Sequence, residues 1–498
     1  MSSFYKLLLS ACRHIYNKIL YIKPRSFYLK SYLSPLKIFK LRCFRIISVF
    51  VCFCLPINVL AQQKSESIKN TANNDCCIYG HWADYKIFLE TVAEKNAEKL
   101  DKKYRKEYGG IINEKNKDLL TELKENNFLF DTVIRNYLSA VFNYILDKNG
   151  LDRNDFHFFI NRTAMVNASA YEDGTVICNL GLLAAVETES QLAMVLCHEL
   201  AHYLLNHVNN AVIKRIEKFN SPEFLAQIKE IKKEKYNTKK QLEELFVSDL
   251  FNRRRHNRSQ EMAADSLGML LLSKTGYGST AVPQLYDLLD SAEFLSTKCS
   301  IQSFFKKENI AADDNWFITR KKMSFGAPEK KEIRDTLKTH PDCAARKINA
   351  RQYFSKNPKP GADFILTTKP QFGKTREMAS LAAATYSKDK ERLSYYLYQL
   401  IQNDAVFMSG NYIKTEIFSL WVNFYFRLKN HTLGFVIDQP YIPENEKDEY
   451  AKLLQMLDDI DLKKMKEIAI SYYENNKIYI TPDTELLTNF NLLKQSLK

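Results

Sequence analysis

Residues 188–202 read TESQLAMVLCHELAH, and this stretch decides how the rest of the chain is read. Thr188, followed three residues later by Gln191, makes the capping box of a helix start. Leu192, Val195, Leu196 and Leu200 then supply an apolar stripe at helical spacing. A helix here sets His198 and His202 one turn apart on one face. Two imidazoles so placed can bind one Zn²⁺ at about 2.0–2.1 Å. Glu199 stands beside them, offset by about 100° around the axis. It cannot easily join as a ligand from there. It can reach a water on the metal, which is the place of a general base.

A catalytic zinc takes three protein ligands and keeps one position open. The third ligand must come from another element. Residues 259–265, SQEMAAD, open a second helix, with Ser259 as its cap and Lys274 and Gly276 at its end. Glu261 and Asp265 are four apart and share a face. Ala263 and Ala264 are small, which predicts a close approach to the first helix. Glu261 is therefore read as the third metal ligand. Asp265 is read as the group that holds the free N–H of a ligand imidazole. His207 continues the first helix and reads as a supporting or structural residue, not a ligand. Cys197 reads as a small buried residue. His81 and His256 have no motif around them.

Outward from these helices the composition is that of a globular protein: 498 residues, 45% hydrophobic, 26% charged. A net charge of +14 raises the question of a nucleic-acid partner. Ten of the 72 Lys/Arg fall in residues 1–61, which hold no Asp/Glu. The other 437 residues carry 62 basic against 58 acidic groups, a net of only +4. The sharpest basic cluster, Arg253-Arg254-Arg255, reads as a solvated loop. No nucleic-acid partner is expected.

Residues 1–61 read as a targeting segment. A basic stretch ends at Arg45, an apolar run follows from Ile46 to Leu60, and Val59-Leu60-Ala61 offers a cleavage site. The run contains Pro56 and Asn58 and is short of the ~20 residues of a membrane span. Export to a periplasm or secretion is the leading reading. An uncleaved N-terminal anchor and a mitochondrial address are the alternatives. Of the ten cysteines, six lie beyond residue 61, too few for a disulfide scaffold. Residues 62–130 read as an N-terminal helical segment. Two short runs around Glu172-Asp173-Gly174 read as a β-hairpin. Residues 291–340 are loop-rich, and from about 360 onward the chain reads as wholly helical. The fold class is thus mainly α with a small β-sheet, followed by an all-α C-terminal domain. Tetratricopeptide-type helical hairpins and an irregular helical array are its two forms.

His198-Glu199-Leu200-Ala201-His202, then Glu261-Met262-Ala263-Ala264-Asp265, then Thr339-His340-Pro341 resemble a family of zinc metallopeptidases. It is typified by the type-1 CAAX prenyl protease, HtpX, the mitochondrial Oma protease and BepA. The resemblance covers roughly residues 130–350, with the three motifs in the family's order. It implies a gluzincin domain, placed at 131–355, ahead of the C-terminal helical domain at 356–498. It also implies one zinc per chain on His198, His202 and Glu261, and Glu199 as the base that hydrolyses a peptide bond. Asn167-Ala168-Ser169-Ala170 looks like the family's edge strand, onto which an extended substrate adds. His340 matches the family's late histidine, which in BepA-like members can lie on a loop over the zinc as a fourth ligand and shut the site; a histidine that caps or packs locally is the alternative, and His340 is also a candidate donor to the oxyanion. The absence of membrane spans places the likeness with the exported, BepA-like branch. The expectation is a zinc metalloendopeptidase of exposed or misfolded envelope proteins. Peripheral membrane association and a protein partner on the C-terminal helices go with that expectation. The alternative is an envelope assembly factor or chaperone whose zinc is latched or structural.

Overall fold

The computed structural model describes residues 78–130, 132–233, 258–291, 298–317, 343–357, 361–407, 411–441 and 448–496. The targeting segment, Cys76 and Cys77, Arg253–Arg255, His256 and His340 lie outside these residues. Among the described residues no helix is long and apolar enough to cross a membrane.

Helices α1 (Ile78–Glu98), α2 (Lys102–Lys124) and α3 (Thr132–Asn149) come first. A three-stranded sheet follows, made of β1 (His157–Asn161), β2 (Ala168–Ala170) and β3 (Thr175–Asn179). The expected hairpin is present: β2 runs antiparallel to β3 with Ser169 opposite Ile177, and Gly174 takes φ +87° at the turn. β1 lies parallel on the other side of β3, giving the order β1-β3-β2. β3 is therefore central, and Thr175–Cys178 are buried on both faces. Val176 and Cys178 face the main core, whereas Ile177 meets Tyr85 and Leu89 of α1 and Leu119 and Leu123 of α2. The N-terminal helical hairpin thus covers the second face of the sheet. Lys115 on α2 also pairs with Glu172 and, at 3.0 Å, with Asp173, which pins the turn that leads out of β2.

After the short α4 (Leu180–Ala185) comes α5 (Glu189–Leu204), the helix of the H-E-x-x-H motif. Residues Glu189–Ala201 of α5 are all buried. Thr188 caps it by accepting from the Gln191 N–H at 3.2 Å, while the Gln191 side chain accepts from the Glu187 N–H at 2.8 Å. The carboxylate of Glu189 is fully buried. It accepts from Tyr137, Tyr277 and the backbone N–H groups of Ile365 and Leu366 at 2.5–3.0 Å. Those four donors fix the start of α5 from three distant parts of the chain.

Helices α6 (His207–Phe219) and α7 (Pro222–Lys233) follow. The second motif helix, α8, is helical over residues 258–273. Ser259 lies inside it, so it does not act as the cap expected of it. Gly276 at φ +85° ends the turn beyond it, as expected. α9 (Val282–Ser291) and α11 (Cys343–Lys356) pack together and complete the core around α3, α4 and α5.

A second core belongs to the C-terminal helices α12 (Lys369–Asp389), α13 (Leu393–Phe407), α14 (Asn411–Lys429), α15 (Glu449–Asp459), α16 (Leu462–Asn476) and α17 (Thr484–Gln495). Trp421, Tyr425 and Phe418 of α14 are fully buried there. α12 serves both cores: Phe372, Ala379 and Ala383 face the first and Ala384 the second. The described part of the loop-rich 291–340 stretch also belongs to this second core. α10 (Ile301–Lys307) starts at a Ser300 cap and buries Ile301, Phe304 and Phe305, and Ile310 and Trp316 follow them. Five large apolar groups in sixteen residues need a core, and the C-terminal helices supply it.

Candidate metal centre

α5 and α8 bring three donor atoms to one point. His198 Nε2 and His202 Nε2 are 3.0 Å apart, and Glu261 places Oε2 3.4 Å from the first and Oε1 3.4 Å from the second. Ligand atoms held about 2.0–2.1 Å from a tetrahedral ion stand about 3.3–3.4 Å from one another. Among the described residues this is the one such group of His, Cys, Asp and Glu side chains.

The electrostatics favour a cation at that point. Burial opposes charge on His198, but hydrogen bonds with Asp265 and Glu261 outweigh it and lift its pKa to about 10. Burial likewise opposes charge on Glu261, yet the two imidazoles hold its carboxyl well below the usual carboxylate range. Both directions express one demand for positive charge, which a proton or a metal ion meets. Three buried or nearly buried carboxylates, Glu199, Glu261 and Asp265, stand against the single guanidinium of Arg346. With neutral imidazoles and Glu199 ionised, two negative charges remain, the match of a divalent ion. The donor set fits zinc.

Asp265 stands where its expected role needs it. Its Oδ1 lies 2.9 Å from His198 Nδ1. A hydrogen bond there leaves Nε2 as the lone-pair nitrogen. Arg346 on α11 grips Asp265 through Nε and a terminal nitrogen, both at 2.7 Å, and reaches Glu261 at 3.3 Å. Burial raises the Asp265 pKa, but Arg346 and His198 more than offset it and bring it to about 2. Arg346 also lies over the Tyr286 ring at 5.1 Å. The sequence reading missed this arginine. Its signal is the spacing Cys343, Arg346, Ala350, which puts all three on the buried face of α11.

Glu199 stands apart from the three donors, on the side of the sheet. It is 7% exposed, and burial raises its pKa against the pull of His198 and His202. The backbone of Ala170, the last residue of β2, favours its charged form against the effect of burial. The motif helix α5 packs against the hairpin's outer strand. β2 lies at the edge of the sheet, and Asn167 O accepts from the Asn179 N–H at 3.0 Å just before it. His207 meets His202 from the far side, Nδ1 to Nδ1 at 3.0 Å. Burial and the His202 ring lower the His207 pKa to about 4.

α8 approaches α5 closely, but not through both alanines. Ala264 is buried and Ala263 is exposed. The tightest point is Gly268, where a Cβ would stand 3.1 Å from His198 Cα and 3.2 Å from its nitrogen. Cys197 is fully buried, as expected.

Residues 135–353 match peptidase family M48. The likeness read from the three motifs is borne out. The β-barrel assembly-enhancing protease of Escherichia coli O157:H7 is 24% identical over 171 residues, 33% of this chain and 35% of the relative. That of Yersinia pestis is 29% identical over 84 residues, 17% of each chain. The mitochondrial metalloendopeptidase OMA1 of Arabidopsis thaliana is 29% identical over 125 residues, 25% of this chain and 24% of the relative. The chain thus matches about a third or less of the length of these relatives. The M48 match holds all three donors, Glu199, Asp265, Arg346 and β2, and it ends before the residues 365 and 366 that anchor Glu189.

Proposed function

We propose that the chain is a zinc-dependent endopeptidase that cleaves exposed or unfolded polypeptide. The observation that carries this reading is the convergence of His198, His202 and Glu261 on one point, with the buried Glu199 next to His198 on the same helix. His198, His202 and Glu261 would hold the ion. Zinc held there supplies a Lewis acid that activates water and polarises a carbonyl. Glu199, whose pKa burial raises, would take a proton from the attacking water and return it to the leaving amine. Asp265, held by Arg346, keeps the His198 ring turned. Asn167–Ala170 bind the substrate. Among the described residues no strand pairs with the outer edge of β2, so an extended peptide can add to it as a further strand. Main-chain pairing of that kind selects for unfolded chain rather than for a sequence.

The names of the relatives favour a setting in the cell envelope, which agrees with the basic-then-apolar order of residues 1–61. The C-terminal helices, with their own core, are the natural platform for a protein partner. An assembly factor that holds such a partner, with zinc as a structural or latched ion, is the second reading. The words assembly-enhancing in two of the relatives' names favour it, whereas the words protease and metalloendopeptidase in all three oppose it, as does Glu199, because a structural site has no use for a base.

Cleavage of unfolded casein by the purified full chain separates the two. The enzyme reading expects cleavage that a chelator stops and zinc restores, and expects Glu199→Gln to keep zinc without cleaving. A zinc-loaded Glu199→Gln variant that cleaves at the wild-type rate contradicts the mechanism. Stoichiometric zinc without cleavage by the wild type favours the assembly factor.

A further inference from the structure

The two histidines of the centre are held in different ways. The Nδ1 of His198 faces a carboxylate, Asp265, at 2.9 Å. The Nδ1 of His202 faces another imidazole nitrogen, His207 Nδ1, at 3.0 Å. Two ring nitrogens at that distance share one hydrogen, so one carries it and the other offers a lone pair. The Nε2 of His202 points at His198 and Glu261, where a ligand nitrogen must be free of hydrogen. The shared hydrogen therefore sits on His202 Nδ1.

We propose that His207 is a positioning residue: its Nδ1 accepts the Nδ1–H of His202 and fixes the tautomer that turns Nε2 towards the metal. The inference rests on the zinc reading above. It is built into the fold at Asn206. A straight helix would carry His207 about 140° around the axis from His202, away from it. Instead α5 ends at Leu204, and Asn206 takes the left-handed conformation at φ +54°. α6 then restarts at His207 in a new direction, and the two rings meet with centroids 4.9 Å apart. α6 does not drift from this position. Tyr108 of α2 donates to Asn209 at 2.7 Å, and Ile216 is buried against Tyr108 and Ile112. His207 is thus held in place as an acceptor. It orients a ligand without adding a fourth carboxylate, which would offset more of the ion's charge.

The test uses the full chain as wild type, His207→Ala and His207→Asn. Asparagine places an amide oxygen near the position of the lost Nδ1, so it restores the acceptor without the ring. Zinc affinity is read by chelator competition, ligand geometry by the absorption of the cobalt-substituted protein, and kcat and KM on casein. The Ala variant is expected to bind zinc on the order of 10–100-fold more weakly, the usual loss for a group behind a ligand. Its cobalt bands shift, and kcat falls while KM holds. The Asn variant recovers most of each. A group that only supports the fold would instead lower the melting temperature of the chelated protein in both variants alike. If alanine does not fold, His207→Leu fills the space without an acceptor and takes its place. Wild-type zinc affinity and an unshifted cobalt spectrum in the Ala variant overturn the proposal, as does an Asn variant no better than Ala. A wild-type chain that takes up no zinc overturns the metal reading itself, and this inference with it.

Discussion

Two of the places where the described residues bury charge differ in what they leave over. In the C-terminal core Glu308 and Asp404 are paired with Lys414 at 2.7 and 3.1 Å, and Asp404 also with Lys307 at 2.9 Å. Asn476 donates to the second oxygen of Glu308 at 2.6 Å. Two carboxylates meet two ammonium groups, and the account closes. In the metal-centre core two carboxylates, Glu261 and Asp265, meet one guanidinium, a third, Glu199, is buried on the motif helix, and two imidazole nitrogens point at each other at 3.0 Å. That arrangement is incomplete without a further cation. The first network contains its cations and ties elements together; the second gathers imidazole and carboxylate donors that a cation would join. Here the first network ties α10 to α13, α14 and α16, and the second stands beside an edge strand.

The sharpest way to break this comparison is to change one charge in each place. Glu199→Gln should lower cleavage by about 10²–10⁴-fold, the range of a lost general base, with zinc content and melting temperature held. Loss of zinc in that variant would show that Glu199 acts as a ligand. Lys414→Met should do the reverse. It leaves Glu308 and Asp404 buried without their shared cation, which costs about 3–5 kcal/mol in denaturant unfolding, while zinc binding persists. Replacing Lys414, Glu308 and Asp404 together by apolar residues of similar volume should restore most of that stability. No such replacement can restore the metal centre.

Two glycines sharpen the same contrast at smaller scale. Gly268→Ala forces α8 away from the His198 backbone, where only 3.1 Å is free. Overpacking of this kind costs about 1–3 kcal/mol, and zinc should bind more weakly because Glu261 moves with α8. Gly373, in the first turns of α12, has nothing within 4 Å of its absent Cβ. Gly373→Ala should stabilise the chain by about 0.5–1 kcal/mol through helix propensity and leave zinc affinity unchanged. Thermal melting with a parallel zinc titration reads both.

What could be read from the sequence follows the range of the interactions. His198, Glu199 and His202 were legible because helical period alone places them, and Glu261 and Asp265 because four residues make one turn. The hairpin was legible from Asp173-Gly174. The parallel pairing of β1 with β3 was not, since it joins segments with β2 between them. Ala263 and Ala264 looked equivalent in sequence, but only Ala264 of the two is buried. Arg346 and Glu189 escaped notice because their partners lie far along the chain. Arg346 reaches back to Asp265 and Glu261, and Glu189 is held by Tyr137, Tyr277 and residues 365 and 366. The stretch 298–317 was read by its loop-like composition. Its partners are the C-terminal helices, and composition carries no trace of them.

The central claim is that His198, His202 and Glu261 together hold one zinc. Metal content of the full chain, measured after zinc loading and removal of free ion, tests it directly when read beside Glu261→Gln and Glu199→Gln. The account predicts one zinc per chain in the wild type and in Glu199→Gln, and almost none in Glu261→Gln. Equal zinc in the wild type and Glu261→Gln, or none in the wild type, would contradict it.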